Sequence, residues 1–313
     1  MSEPEVSVVI PTRNRETRLR FGLEALAEQT LDRARFEVIV VRAEDTDLPW
    51  CEAPEGLDVR FIAAPKGPAL QRNVGWRAAR GRLVAFTDDD CRATPDWLER
   101  LVAAAGGPDD ILQGRTQPDP TEDHLLHGRA RSIRIDAVDP WFPTCNIAFP
   151  RALLERVGGF DEDFPTAWGE DTDLGLRAIG AGGTVFYVPE AVSYHAVNAR
   201  TMRQAMREGW RRDSLPLVVA RHPRQRRALF LDVFVRRTHA HFVLALAGLL
   251  PVRRRPLLGF LAMVPYLCNR EPLHVAVRTI PRIIFHLPAR VAVDATEVAA
   301  VGRAAVRERV LVL

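Results

Sequence analysis

The segment Phe86-Thr87-Asp88-Asp89-Asp90-Cys91 decides how this 313-residue chain folds, because three carboxylates follow an apolar run at residues 83–86 with only Thr87 between. Such a run is typical of a strand buried on both faces of a parallel sheet. In open α/β sheets, ligands bind beyond the carboxyl ends of the strands, where these acids lie. Adjacent carboxylates repel one another, so a divalent cation held through oxygen is expected to compensate them. The alternative is a solvated turn before a helix at Pro95.

The sequence around this segment alternates strands with helices, which predicts an α/β fold with a mostly parallel, doubly wound sheet flanked by helices. Strands are predicted at residues 6–10, 36–41, 57–62, 82–86, 111–113, 146–149 and 185–188. Helices are predicted at residues 19–27, 68–79, 95–102, 125–135, 151–157 and 169–179. Beyond residue 199 the strand pattern stops and a helical region is predicted.

Charge also divides the chain near residue 199. The net charge of +3 combines −11 over residues 1–199 with +14 over residues 200–313, where 21 Arg accompany only 7 Asp and Glu. We therefore predict an acidic α/β domain at 1–198, suited to metal binding, and a basic helical region at 199–313. The basic region suits an anionic surface, either lipid headgroups or substrate phosphates. No nucleic-acid-binding motif is present, so no nucleic-acid partner is predicted.

Two apolar stretches of the basic region, residues 241–252 and 257–267, are separated by Arg253-Arg254-Arg255. Each is shorter than the ~20 apolar residues that a membrane-spanning helix needs. Two interpretations stay open: buried core helices, or helices lying in the headgroup region of an anionic leaflet. The four cysteines form no CxxC pair, and the N-terminus shows no signal-peptide pattern. We therefore predict a cytoplasmic protein, with peripheral contact to the inner membrane face as the second interpretation.

Five short motifs follow one another along residues 5–198. They are Val8-Val9-Ile10-Pro11-Thr12-Arg13-Asn14-Arg15, Gly67-Pro68-Ala69-Leu70-Gln71-Arg72-Asn73-Val74-Gly75, Asp88-Asp89-Asp90, Gly158-Gly159-Phe160-Asp161-Glu162 and Trp168-Gly169-Glu170-Asp171-Thr172-Asp173-Leu174. In this order the motifs resemble the family 2 glycosyltransferases, whose fold is called GT-A. The resemblance implies a nucleotide-sugar-binding catalytic domain at residues 1–198. It also implies an inverting transfer from a nucleotide diphosphate sugar, assisted by Mn²⁺ or Mg²⁺.

The resemblance assigns roles to the acidic residues. Asp90, the last acid of the triplet, is expected to hold the metal, and Asp88 to contact the nucleoside, while Asp89 serves either role or supports them. Inversion requires a base on the sugar face opposite the leaving group. The resemblance places this base in the pair Glu170-Asp171, and we favour Asp171. The alternative is that these acids are simply favoured at a helix N-terminus by the helix dipole.

A histidine is the second expected metal ligand. His195 follows the predicted strand at residues 185–188, and imidazole binds Mn²⁺. The sequence alone favours a structural role for a single histidine, whereas the resemblance implies that His195 binds the metal.

Residues at the nucleotide end of the sheet are expected to contact the donor. The resemblance implies this role for residues after the first strand and at the start of the helix at 68–79, namely Pro11, Thr12, Arg13, Arg15, Arg72 and Asn73. For each arginine the alternative is a solvated loop or helix surface.

The segment after the second strand departs from the family pattern. The family usually has Asp-Asp-Gly-Ser there, whose acid reads the base, whereas this chain has Arg42-Ala43-Glu44-Asp45. Glu44 and Asp45 are the available substitutes, and we choose Asp45. A UDP-sugar is the favoured donor, with dTDP- and GDP-sugars as alternatives.

The acceptor side is predicted from its aromatic residues. Trp141 and Asn146 precede and enter a strand that faces the acceptor in this fold, and Trp168 lies just before the expected base. Aromatic rings stack on sugar faces, although core packing is the more frequent role of a tryptophan. The Gln-x-x-Arg-Trp signature of processive synthases is absent. We therefore expect the addition of a single sugar to a hydroxyl of a glycan, a glycolipid or a natural product.

Two other functions stay open from the sequence. A nucleotidyltransferase has a similar sheet and acidic metal ligands, but it expects a Gly-rich, basic signature after the first strand, and Pro11-Thr12-Arg13-Asn14 differs from that. A non-catalytic sugar-nucleotide-binding or membrane scaffold module predicts binding without turnover.

Overall fold

The computed structural model describes residues 3–46, 52–126, 130–164, 168–250, 254–268 and 280–313. The chain divides into two compact units, Met1–Ala199 and Arg200–Leu313. Within the described residues, every strand lies in the first unit, and the second unit is built from helices. The predicted α/β class and the helical C-terminal region are thus confirmed.

The described part of the first unit contains one eight-stranded sheet. In chain order, strands β1 to β8 span Val6–Thr12, Phe36–Ala43, Val59–Ala64, Leu83–Thr87, Cys91–Ala93, Asp110–Pro118, Asn146–Pro150 and Thr184–His195. Helices α1 to α5 span Glu16–Ala27, Pro68–Ala78, Trp97–Ala104, Arg151–Val157 and Glu170–Gly180. The spatial order of the strands is β3-β2-β1-β4-β7-β6-β8-β5.

The sheet is mostly parallel, as predicted, but it is not parallel throughout. Strand β1 pairs in parallel with β2 and β4, β2 pairs in parallel with β3, and so does β6 with β8. Strand β7 runs antiparallel to both β4 and β6. The doubly wound interpretation is therefore correct for β1 to β4 and wrong for the second half of the sheet.

Three elements beyond β4 differ from the prediction. The helix expected at residues 125–135 is wrong for residues 130–135, because Arg131 bridges Asn198 and Ile135 bridges Thr116. Residues 127–129 of this prediction lie outside the described residues. Ile133 and Ile135, two residues apart, pack on a small cluster with Cys91, which is the spacing of an extended chain. The three-residue strand β5 was not predicted, and β8 continues to His195 rather than ending at residue 188.

Alternation along the strands builds a core on each face of the sheet. In β1, Val8 and Ile10 pack on one side with α1 and α3, whereas Val9 packs on the other side with α2, α4 and α5. Successive strand side chains point to opposite faces, so one apolar strand supplies both layers. This buried sheet fixes the strand ends, and with them the loops that carry the acidic residues.

The second unit has five α-helices among its described residues. Helices α6 to α10 span Met202–Trp210, Leu215–Arg221, Arg237–Leu249, Pro256–Leu267 and Ile280–Glu308. A buried carboxylate, Glu297 of α10, accepts a hydrogen bond from Nε2 of His239 at 3.0 Å and lies 3.4 Å from both Arg212 and Arg236. None of the described helices is long and apolar enough to cross a membrane.

A candidate active site at the strand ends

The carboxyl ends of β1 and β4 lie side by side, which brings the first loop against the acidic triplet. Thr12 Oγ1 donates to Asp89 Oδ2 at 2.8 Å. Arg15 Nη1 donates both to Asp89 Oδ1 at 3.0 Å and to Asp90 Oδ2 at 2.9 Å. Burial, reinforced by the adjacent charges, raises the pKa of Asp89 to about 7, while Arg15 and Thr12 act in the opposite direction. One half-exposed arginine thus compensates two buried carboxylates.

Strand β5 brings His195 to Asp90, because Cys91 is paired with His195 in the antiparallel β5–β8 ladder. His195 Nε2 lies 3.6 Å from Asp90 Oδ1. The other ring nitrogen, Nδ1, is 2.8 Å from the carbonyl oxygen of Ala196. A carbonyl oxygen only accepts, so Nδ1 donates to it, and this hydrogen bond turns Nε2 toward the carboxylate of Asp90.

The donor set at Asp90 and His195 fits a divalent cation. A carboxylate oxygen and an imidazole nitrogen lie 3.6 Å apart, and both are ligand types that Mn²⁺ accepts. The other oxygen of Asp90 is held by Arg15 and by Asn198 Nδ2 at 3.3 Å. Cys91 Sγ lies within 4.8 Å of these two ligands. Burial raises the pKa of the Cys91 thiol well above its ordinary value, so we exclude it from the ligand set.

Arg72 joins the two acidic motifs. This buried guanidinium donates to Asp88 Oδ1 at 3.1 Å and to Glu170 Oε1 at 2.9 Å, although the two acids belong to motifs far apart in the chain. The resemblance implied that Arg72 contacts the nucleotide. In the structure its guanidinium is engaged by carboxylates, so its first role here is to hold the end of β4 against the start of α5.

The first turn of α5 carries the expected base. Gly169 caps this helix with φ +99°, a conformation that favours glycine. Asp171 is partly exposed, and its Oδ1 accepts from the backbone N–H of Thr172 at 2.9 Å. Burial of its carboxyl and then the charge of Glu170 raise the pKa of Asp171, while Arg72 opposes the shift. Oε2 of the buried Glu170 has no hydrogen-bond partner.

The loops after β1 and β2 are tied together by an exposed ion pair. Arg13 donates through Nε and Nη2 to the two carboxylate oxygens of Asp45, at 3.0 and 2.7 Å. This hydrogen-bonded arginine lowers the pKa of Asp45. Asp45, the predicted base-reading residue, and Arg13 therefore lie at the same strand ends as the acidic triplet. Pro11 lies within β1 and is half-buried.

Two tryptophans lie beside the start of α5. The rings of Trp141 and Trp168 are 6.2 Å apart between centroids, with planes inclined at 42°. Thr172 Oγ1 donates to the carbonyl oxygen of Trp141 at 2.8 Å, which fixes this segment to the helix of Asp171. Both tryptophans are half-buried.

The hydrogen bonds of two residues differ from the ligand-binding roles predicted for them. Asn146, expected on the acceptor side, is fully buried, accepts from Trp97 Nε1 and donates to the carbonyl oxygens of Arg115 and Ala191. Its donors are used inside the sheet, which leaves none for an acceptor.

Asn73, expected at the nucleotide, is also fully buried. It donates to the carbonyl oxygen of Phe160 and to Glu162, and it accepts from the backbone N–H of Phe160. Gly159 allows this approach, because a Cβ there would lie 2.5 Å from Asn73 Oδ1. Asn73 therefore anchors the Gly158–Glu162 motif to α2.

Sequence reasoning missed Asn198, which contacts Asp90, and the bridging role of Arg72. A polar residue just beyond the last strand was the only signal for Asn198. For Arg72 the signal was an arginine in an otherwise buried helix face, whose partners could not be read from spacing.

Comparisons with known proteins agree with this geometry. Residues 7–160 match the sequence model of the family described as Glycosyl transferase family 2. The matched residues resemble a family 2 glycosyltransferase domain, and they include β1, the acidic triplet and the Gly158-Gly159-Phe160 motif.

Similar proteins of known name are also glycosyltransferases. Validoxylamine A glucosyltransferase of Streptomyces hygroscopicus subsp. limoneus is 31% identical over 240 residues, covering 63% of this chain and 53% of that protein. Pre-mycofactocin glycosyltransferase of Mycobacterium tuberculosis is 28% identical over 243 residues, covering 71% of this chain and 49% of that protein. The chain thus spans about half the length of these curated relatives.

Solved structures share the GT-A fold with this chain. The mannosyltransferase PcManGT of Pyrobaculum calidifontis, solved with GDP-Man and Mn²⁺, has a TM-score of 0.58 at 20% identity, covering 97% of this chain and 88% of its own. Residues 1–349 of S. aureus TarS, solved with UDP-GlcNAc, give a TM-score of 0.52 at 16% identity, covering 98% of this chain and 92% of their own. At these identities the likeness establishes the fold.

Proposed function

We propose that this protein is an inverting glycosyltransferase that moves a single sugar from a nucleotide diphosphate sugar, with a UDP-sugar favoured, to an acceptor hydroxyl. The observation that carries the proposal is the bridge of Arg72 between Asp88 and Glu170. It holds Asp88, from the triplet expected to bind the donor, near Glu170, which precedes the expected base Asp171 in the sequence. We assign residues 1–198 to catalysis and residues 199–313 to a basic helical region.

Donor binding is assigned to the ends of β1 and β4. Asp90 and His195 would hold Mn²⁺ or Mg²⁺, which supplies positive charge to a leaving diphosphate. Arg15 contacts Asp89 and Asp90 and is half-exposed, so its remaining N–H groups are available to phosphate oxygens. Asp88, Thr12 and the Arg13–Asp45 pair are assigned to the nucleoside.

Asp171 is assigned as the general base. An inverting transfer needs a carboxylate that accepts the acceptor's hydroxyl proton as the hydroxyl oxygen attacks the anomeric carbon. Its raised pKa favours proton uptake, while its partial exposure keeps it reachable. Glu170 is assigned a supporting role, because Arg72 already engages one of its oxygens.

Acceptor binding is assigned to the tryptophan pair. Trp141 and Trp168 flank the first turn of α5 and offer apolar faces on which a sugar or another ring-bearing acceptor can stack. The acceptor class proposed is a hydroxyl-bearing glycan, glycolipid or natural product.

The test is a screen of UDP-, dTDP- and GDP-sugars for Mn²⁺-dependent hydrolysis by the full chain, with water as the acceptor. We expect slow release of the nucleoside diphosphate from one donor class, and no release by Asp171→Asn. Asp163→Asn, an exposed carboxylate outside the site, is the matched control. Binding of a nucleotide sugar without any hydrolysis would favour the non-catalytic module, and release of pyrophosphate from nucleoside triphosphates would favour a nucleotidyltransferase.

A further inference from the structure

Helices α8 and α9 form an antiparallel pair whose outer surface is apolar. We call this the α8–α9 surface, and its most exposed members include Leu249, Leu250, Leu257, Leu258, Phe260 and Leu261. Leu250 is 87% exposed, Leu257 68% and Phe260 59%. Scattered single leucines are ordinary on protein surfaces, but a contiguous set on two adjacent helices marks an interaction site.

Apart from Arg237 at the start of α8, both helices lack charged residues. The sequence contains no Asp, Glu, Lys or Arg at residues 238–252 or 256–268. A helix at a water-facing surface normally carries charged residues on its exposed side, whereas a helix that is apolar all round is buried in protein or lipid. The exposed side of α9 therefore fits an apolar environment rather than water.

Small residues let α8 and α9 pack closely against each other. A Cβ on Gly248 would lie 2.6 Å from Ala262 Cβ and 3.1 Å from the carbonyl oxygen of Gly259, so the two backbones touch through small residues. This mode of close approach is typical of helices packed in lipid. With 13 and 12 residues, each helix is about 20 Å long, shorter than the ~30 Å hydrocarbon core.

Arginines border the α8–α9 surface. Arg236 and Arg237 are exposed at the start of α8, and Arg254 and Arg255 are exposed before α9. Residues 200–313 carry a local charge of +14. Like charges at both ends of the surface disfavour a second copy of this chain as its partner, whereas anionic headgroups complement them.

We propose that the α8–α9 surface inserts into the interfacial region of one leaflet of an anionic membrane. The leucines and Phe260 enter the acyl boundary, and the bordering arginines contact lipid phosphates. Neither helix crosses the bilayer. The proposal is independent of the transfer reaction, because vesicle binding is measured without turnover.

The test is co-flotation of the full chain with vesicles of phosphatidylcholine alone or mixed with phosphatidylglycerol. We expect binding to the anionic vesicles. The triple variant Leu250→Glu, Leu257→Glu, Phe260→Glu should lose at least ~100-fold in partitioning, because each inserted apolar side chain contributes a factor of about ten or more. Arg237→Ala and Arg254→Ala should each weaken anionic binding about fivefold.

A second triple variant is the matched control. Leu231→Glu, Val306→Glu, Leu311→Glu adds the same three charges at apolar positions that are also exposed, but outside the α8–α9 surface. It should bind vesicles like the wild type, and circular dichroism should show that both triple variants are folded. Vesicle binding that is absent in the wild type, or equal in the two triple variants, would overturn the proposal. The proposal would also be overturned if the wild type and the control variant were dimers without lipid while the α8–α9 variant was a monomer. The surface would then bind a second copy of the chain.

Discussion

Nε2 of His195 lies 3.6 Å from Oδ1 of Asp90, while Nδ1 of the same imidazole donates to the carbonyl oxygen of Ala196. A carboxylate oxygen and an imidazole nitrogen are ligand types that Mn²⁺ accepts, and the hydrogen bond at Nδ1 orients the ring. This pair is therefore the physical reason to expect a metal-dependent donor site.

Asp171→Asn should reduce donor hydrolysis by about 10²- to 10⁴-fold, which is the usual contribution of a positioned general base. The amide keeps the shape of the carboxyl but cannot accept the proton. Nucleotide binding measured by calorimetry should be retained, since Asp171 is not assigned to the donor. Hydrolysis at the wild-type rate would remove Asp171 from the mechanism.

Glu170→Gln should shift the pH dependence of hydrolysis to lower pH. Asp171 acts as a base only when ionised, so the rate rises as pH rises through its pKa. After burial, the charge of Glu170 is the next cause that raises this pKa, and the substitution removes it. The measurement is the pH at which the hydrolysis rate reaches half of its maximum. Glu155→Gln, on the exposed side of α4, is the control. A midpoint that stays in place or moves upward would contradict the assignment.

Arg72→Met should destabilise the fold by about 3–5 kcal/mol, because it leaves Glu170 as a buried charge without its cation. Adding Glu170→Gln should recover part of this loss, giving a coupling energy of about 0.5–3 kcal/mol between the two positions. Thermal unfolding of the four proteins, followed by circular dichroism, measures the cycle. If the two substitutions changed the free energy of unfolding additively, the ion pair of Arg72 with Glu170 would not stabilise the contact between β4 and α5.

The strand that carries the acids was predictable because an apolar run followed by Asp88-Asp89-Asp90 has one simple interpretation in an α/β sheet. The helix of Asp171 was predictable from its acidic first turn. These features are local, so the sequence shows them directly.

The contacts between distant residues were not predictable in the same way. His195 reaches Asp90 through β5, a strand of three residues that is too short to give a pattern. Asn73 and Asn146 look like ligand-binding amides in the sequence, and only their hydrogen bonds show that they serve the fold. The error at residues 125–135 has a similar origin, because bridges to Thr116 and Asn198 determine that segment.

Glu297→Gln should destabilise the helical unit at neutral pH by about 3 kcal/mol. Burial acts to raise the pKa of Glu297, but the hydrogen bond from His239 and the charges of Arg212 and Arg236 lower it to about 2. The unfolded carboxyl titrates near 4.5, so this stabilisation is present above that pH and is lost as pH falls toward 2. The difference in melting temperature between variant and wild type should shrink over this range. A difference that is constant with pH would contradict the assignment.

Calorimetric titration of the full chain, with and without Mn²⁺, tests the central claim most directly. The ligand is whichever of UDP, GDP and dTDP the wild type binds best. We predict that Mn²⁺ tightens binding by wild type and by the control Asp163→Ala more than about tenfold, that Asp90→Ala abolishes this gain, and that His195→Gln reduces it. An undiminished Mn²⁺ dependence in Asp90→Ala would contradict the account, because the cation would then be held somewhere other than at the end of β4.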